Sequence, residues 1–228
     1  MAAATDRAIA QIRGLIAAGS YAPGQRLPPE RELGEALGVS RNSLREAVTA
    51  LQAMGVLDVR RGDGTFVTDL GAGVLVEALG FVLDLYHGER LREIFEVRRI
   101  LEPAAVARAA ESIDDETVAA LREMLGRVGP EMTLEKLVRH DLAFHHALAT
   151  ASGNALLAEL LDALAGPTVR ARVWRGMTEA GVVERTLAEH RAIIDAVAAR
   201  DPELARSLIV AHVRGVENWL ERGLVSED

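Results

Sequence analysis

Cysteine is absent, which removes disulfides and thiolate metal ligands together and makes a reducing cytosol the natural compartment. Aromatic residues are few, at 4%. A stacking platform for single-stranded nucleic acid is therefore not expected. No apolar run approaches the roughly 18 residues that a membrane span needs, and no basic-then-apolar leader opens the chain. Lys136 is the sole lysine, so arginine supplies the rest of the positive charge. Net positive charge is missing too: the formal balance is -8. On bulk charge alone the chain would not be taken for a nucleic-acid binder. What is present is a globular composition, with 49% hydrophobic and 26% charged residues over 228 positions. That is enough for two modest domains with their own cores.

The charge is unevenly spread. Over residues 1–70 eight arginines balance eight acidic residues, so the whole surplus of negative charge lies beyond. The patterning changes at the same place. Asp69-Leu70-Gly71-Ala72-Gly73 reads as a linker, and the expected division is a first domain at 1–69, a linker at 70–73 and a second domain at 74–228. Before the linker, Ile9, Ile12, Leu15 and Ile16 predict an amphipathic helix ending at Gly19. A second helix is expected over Pro28–Leu37, with the two prolines at its start and Gly38 as its C-cap. Ser40 caps a third, from Arg41 to about Met54. Leu57–Arg61 and Thr65–Val67 predict strands around Gly62-Asp63-Gly64, a hairpin signal. After the linker a helical period persists, with helices expected near 74–86, 89–110, 114–128, 133–151, 154–175, 182–199 and 202–221. The fold class is thus mainly α: an N-terminal winged helix-turn-helix followed by an all-α bundle.

Within Arg41–Met54, Leu44, Ala47, Val48 and Leu51 are spaced to pack inward. Arg41, Asn42 and Arg45 fall on another face near the helix start, where side chains reach phosphates and base edges together. Arginine fits guanine O6 and N7 bidentately. Arg31 on the preceding helix is placed to help, and Gly62 lets the wing backbone approach DNA closely. The plainer alternative is a small helical unit with solvated arginines, but the order helix, helix, capped helix, glycine-tipped hairpin favours the winged form.

Pro23-Gly24, Leu27-Pro28, Glu30-Arg31-Glu32-Leu33, Gly38-Val39-Ser40-Arg41, Leu44-Arg45-Glu46-Ala47, Leu51, Gly55 and Gly62-x-Gly64-Thr65-Phe66-Val67 resemble the GntR family of bacterial transcription regulators over about residues 5–68. The resemblance implies DNA contacts at Arg31, Ser40, Arg41, Asn42, Arg45 and Gly62. Asn42 stands where that family varies, which makes it a candidate for setting operator sequence.

In the helical part, Asp141 and His145 lie four apart in a segment whose apolar face is Leu134, Leu137, Val138, Phe144 and Leu148. His190 sits among Leu187, Ile193, Ile194 and Val197, and His212 among Leu208, Ile209, Val216 and Trp219. All four side chains are expected to point inward, and buried groups of this kind need partners or a metal. Together they offer ligand chemistry for a divalent first-row cation. The pattern alone leaves satisfied core histidines equally open. His140 and His146 are expected to point elsewhere and His87 to lie in a turn, all three as non-ligands. Arg98 shares a face with Leu91, Ile94 and Leu101, so its guanidinium needs an anion. Glu102 is one candidate and a ligand carboxylate, clamped bidentately, the other.

Val97-Arg98-x-x-Leu101-Glu102-Pro103, Asp141-x-x-x-His145, Ser152-Gly153-Asn154, Glu189-His190 and Ala211-His212 resemble the FCD domain of FadR-type GntR regulators over about residues 74–222. That resemblance implies a zinc or nickel ion on Asp141, His145, His190 and His212. It also implies a small organic carboxylate effector in the same cavity, met by Arg98 and, less directly, Asn154. The histidines argue against an acyl-CoA effector, because fatty-acyl-binding members lack them. The expectation is a non-enzymatic cytoplasmic homodimer that binds palindromic operator DNA, acts as a repressor and responds to its effector. A metal-dependent hydrolase or a metal sensor with a DNA-binding head is the alternative.

Overall fold

The structure is a computed structural model that describes residues 2–71, 73–85, 89–129 and 131–225. His87, Gly88, Pro130 and Ala72 of the expected linker lie outside the described residues. The chain divides into two compact units, Met1–Ala78 and Leu79–Asp228. This division falls inside a helix rather than at the expected 70–73 linker.

The first unit holds α1 (Ala2–Ala17), α2 (Glu30–Leu37), α3 (Arg41–Ala53), β1 (Leu57–Arg60) and β2 (Gly64–Val67). Ile12, Leu27, Leu33, Leu44, Val48, Leu51, Leu57 and Val67 form its core. The expected inward residues of α3 are all buried. Pro28 and Pro29 stand before α2 rather than in it, Pro29 being extended at φ -50, ψ 144. A residue preceding proline is pushed out of the α region, so Pro28 cannot start the helix. Gly38 ends α2 in the left-handed conformation at φ 65, a position that favours glycine. Ser40 Oγ accepts the Ser43 N–H at 3.2 Å and starts α3. The strands pair antiparallel, Leu57 with Val67 through Arg60 with Gly64. The wing is tied to the body by Leu27 N–H to Thr65 O and Val67 N–H to Gln25 O.

The second unit is helical: α4 (Gly73–Asp84), α5 (Glu89–Ser112), α6 (Asp115–Gly126), α7 (Leu134–Ala151), α8 (Ala155–Ala165), a single 3₁₀ turn (Gly166–Thr168), α9 (Val169–Thr178), α10 (Val182–Ala198) and α11 (Pro202–Val225). The helix expected over 154–175 is two helices. Pro167 supplies no N–H to the ladder, and the chain turns through Gly166–Thr168 before restarting. α5 is the central element, packed most extensively on α11 and also on α7, α8 and α10. It is covered on several sides, so Phe95, Arg98, Glu102, Val106 and Ala110 are all buried. The main core runs from Phe95 and Val106 of α5 through Phe144, Leu148, Ile193 and Ile194 to Ile209 and Val213.

A DNA-reading face and a candidate metal centre

On the first unit, Arg31, Ser40, Arg41, Asn42, Arg45 and Gly62 are all exposed. Helix periodicity puts Leu44, Ala47, Val48 and Leu51 inside and leaves the α3 arginines outside. Arg31 and Arg41 flank one surface hollow with Glu30, Glu35 and Gly38. Arg45 has a loose ion pair with Glu30 at 3.8 Å, both side chains being well solvated. Such a pair holds the arginine weakly. Gly62 sits at the tip of the wing with φ 78. Arg60 is held back on the wing by Asp58 at 2.8 Å and by the Phe66 ring at 4.3 Å. Gly64 holds φ 128, a conformation that favours glycine, and the Arg26 side chain lies over it.

In the second unit α7, α10 and α11 bring Asp141, His145, His190 and His212 together. Their facing atoms all lie within 4.8 Å of one another. His190 Nε2 is 3.1 Å from Asp141 Oδ1 and 3.4 Å from His212 Nε2. His212 Nε2 is 3.2 Å from His145 Nε2 and 3.4 Å from Asp141 Oδ1, and His145 Nε2 is 3.7 Å from that same oxygen. Each imidazole is held from behind by a different residue. His145 Nδ1 lies 2.8 Å from Glu102 Oε2, His190 Nδ1 lies 3.2 Å from His140 Nε2, and His212 Nδ1 lies 2.7 Å from Glu189 Oε2. Asp141 Oδ2 faces Arg172 Nε at 2.8 Å.

This arrangement fits a metal on its own chemistry. Acceptors behind the rings favour a proton on each Nδ1, which turns three Nε2 lone pairs and a carboxylate oxygen toward one point. Lone pairs so gathered repel unless a cation joins them. Bonds of about 2.1 Å to a shared ion put neighbouring donors about 3.0 Å apart at right angles and about 3.4 Å apart in a tetrahedron. Five of the six spacings, 3.1 to 3.7 Å, fall around those values, and the whole set lies within 4.8 Å.

Burial and the neighbours divide the protonation states. Burial pushes His190 down to about 3, against the pull of Asp141. For His212 burial acts downward as well, but Asp141 and Glu189 outweigh it and raise it to about 9. Burial disfavours the Asp141 carboxylate, yet Arg172 and the histidines hold its pKa well below the ordinary range. Glu102 is treated the same way by Arg98 and His145 against burial. In the absence of metal, one proton on His212 thus takes the cation's place.

Arg98 is 2% exposed. Its Nε donates to Glu102 Oε1 and its Nη1 lies 3.3 Å from Thr168 Oγ1. Of the two partners the sequence left open, the internal one, Glu102, is the one in place. Asn154 is exposed and accepts the Leu157 N–H as the cap of α8; it does not line the cavity beside the four ligands. The expectation that His140 points elsewhere is corrected. It is buried and backs His190, because α10 passes over the α7 face that carries both His140 and Phe144. His146 does point outward, paired with Asp162. Arg172, Glu102 and Glu189 were not recognised as parts of the site. Glu189 alone had a sequence signal, standing beside His190.

Residues 4–67 match the sequence model of the bacterial regulatory proteins of the gntR family, and residues 93–215 match the FCD domain. The chain belongs to the GntR family. Within that family it is 32% identical to the HTH-type transcriptional regulator LutR of Bacillus subtilis, over 90% of this chain and 96% of that protein. It is 30% identical to the galactonate operon transcriptional repressor of Escherichia coli, over 88% of this chain and 90% of that protein. Among solved structures, Streptococcus agalactiae GntR superposes with a TM-score of 0.69 at 27% identity, covering 94% of this chain and 99% of the other. This GntR-family chain is therefore a transcription regulator of the FadR-like, FCD-bearing kind, with its helix-turn-helix in the first unit and an effector-binding domain in the second. No helix among the described residues is long and apolar enough to cross a membrane.

Proposed function

We propose that this regulator is a cytoplasmic homodimeric repressor whose release from operator DNA is controlled by a small carboxylate bound beside a divalent cation. Arg31, Ser40, Arg41, Asn42, Arg45 and Gly62 form the DNA-reading set, with one α3 in each major groove of a palindrome. Asp141, His145, His190 and His212 hold zinc or nickel. The ion supplies a Lewis-acidic point to which a carboxylate oxygen can bind. The observation that carries the reading is the convergence of three Nε2 atoms and one carboxylate oxygen, with an outer partner behind each. Arg98 acts through Glu102 on the orientation of His145, as a positioning residue. Asn154 keeps its place as a helix cap.

A relative is named for the galactonate operon, and galactonate is a sugar acid, which suits an acid as effector. The effector moves the DNA equilibrium only as far as it binds the two states of the protein unequally. Non-enzymatic use of the ion is favoured because Glu102 and Glu189, the carboxylates nearest the ligands, are occupied in holding histidines. The test is a thermal-shift screen of organic and sugar acids on metal-loaded protein, followed by operator binding in fluorescence anisotropy. An acid that stabilises the protein should also release it from operator. His190→Ala with His212→Ala should lose both the bound metal and the response to that acid. A double variant that keeps the response would show the site to be misplaced.

A further inference from the structure

The cavity beside the candidate ligands is lined by Asp141, His212, Arg172, Arg175 and Thr186 together with apolar side chains. Two arginines on this wall raise the question of which is free to act. Arg175 is paired through its Nε, which donates to Glu179 Oε2, and Glu179 is held in turn by Arg185. Arg98 does not line this cavity and is engaged by Glu102 and Thr168. Arg172 differs from both. Its side chain is only 6% exposed. Its Nε lies 2.8 Å from Asp141 Oδ2, but off the angle of a hydrogen bond. Its Nη1 is buried and meets no partner among the described residues. A buried guanidinium donor without a partner is costly, and the cost is removed when an anion accepts from it.

The charge balance points the same way. Arg98 cancels Glu102, and Arg172 cancels Asp141. With Glu189 behind His212 counted as well, a divalent ion among neutral histidines would leave one surplus positive charge in a buried place, which a carboxylate relieves. Size sets a further condition. The cavity offers about 30 Å³ of room for water-sized spheres, against the 10–15 Å³ or so that one water requires. That accommodates a carboxylate group, while the remainder of a larger acid must displace side chains of α9 or its neighbours.

Resting on the effector reading above, we infer that Arg172 is the residue that binds the effector carboxylate, one oxygen on Nη1 and the other on the cation, and that Arg98 is not.

The test uses the full chain loaded with Co²⁺, whose visible absorption reports its coordination, and acetate as the minimal carboxylate. Co²⁺ titration gives metal affinity, and acetate titration at cobalt saturation gives the acetate midpoint. Arg172→Gln should raise the acetate midpoint by about tenfold or more, with Co²⁺ stoichiometry and circular dichroism kept. Arg172→Lys should fall between, since a point charge replaces a planar fork. Arg98→Gln should act mainly on Co²⁺ affinity and shift the acetate midpoint less than Arg172→Gln does. If Arg98→Gln abolishes the acetate response and Arg172→Gln leaves it intact, the assignment is overturned while the effector reading stands. If cobalt-loaded wild type shows no spectral change up to molar acetate, the carboxylate reading fails and this assignment with it.

Discussion

The two units use arginine in opposite ways. On the DNA-reading unit Arg31, Arg41 and Arg45 stand in water with weak partners or none close by, and their surroundings are electrically neutral overall. In the helical unit Arg98 and Arg172 are buried, and each is set against a carboxylate that in turn faces the candidate metal ligands. An exposed arginine keeps its binding capacity for a partner that arrives from outside. A buried one has most of its capacity assigned in advance, so one unassigned donor becomes informative. On that difference, the first site is expected to tolerate substitution without loss of fold and the second is not.

The largest effect that would sharpen this contrast is expected at Asp141. Asp141→Ala removes the only carboxylate among the four facing ligands and leaves Arg172 buried without its anion. Breaking a buried pair in this way costs about 3–5 kcal/mol. Chemical denaturation should show that loss, and metal analysis should show an empty site. A variant as stable as wild type would mean that the buried set is not a coupled network. Next in size, Arg41→Ala and Arg45→Ala should each weaken operator binding by about 1–3 kcal/mol, read by anisotropy. The melting temperature and metal content should stay at wild-type values. An equal loss of stability would erase the distinction between the two units.

A third contrast is in pH. His212, raised to about 9, binds a proton in the folded metal-free protein that the unfolded chain releases near 6.5. Its contribution is therefore complete below about pH 6.5 and is lost as pH rises through about 9. His190 works with the opposite sign: held neutral down to about 3, it lets the unfolded chain take up the extra proton, so stability falls as pH drops below about 6.5. Metal-free protein should be most stable near that crossing. Bound metal displaces the His212 proton, so the alkaline decline should vanish in the loaded protein. A decline of equal size with and without metal would sink this account.

Much of this was legible beforehand, for identifiable reasons. Capping by Ser40, the Gly38 terminus and the hairpin glycines are local signals, so the first unit's elements were placed within a few residues. Inward placement of Asp141, His145, His190 and His212 followed from helical period, because their apolar neighbours mark one face of each helix. The partners behind them did not follow. Whether Glu102 turns toward Arg98 or toward His145 depends on how α5 and α7 meet, and in the structure it serves both. His140 stands one position before a candidate ligand, about 100° around the helix, which predicts an outward side chain. Yet α7 is covered broadly enough that His140 is buried too. Arg172 was hidden in Val169-Arg170-Ala171-Arg172-Val173-Trp174-Arg175, where arginines alternate with apolar residues and no face is clearly polar. The break at Gly166–Thr168, which reorients that segment, interrupts an otherwise continuous helical period and leaves little local signal beyond Pro167.

The depth of the four ligands bears on time as well as affinity. His190 is 0% exposed and His212 3%, so release of an ion held by all four side chains would require several buried groups to move together, an opening drawn from the slower motions of a packed core. A small acid lodged at the cavity wall needs far less disturbance to come and go. On the proposed reading, an ion held there would persist through many rounds of effector arrival and departure, as a fixture against which a fleeting metabolite level is read.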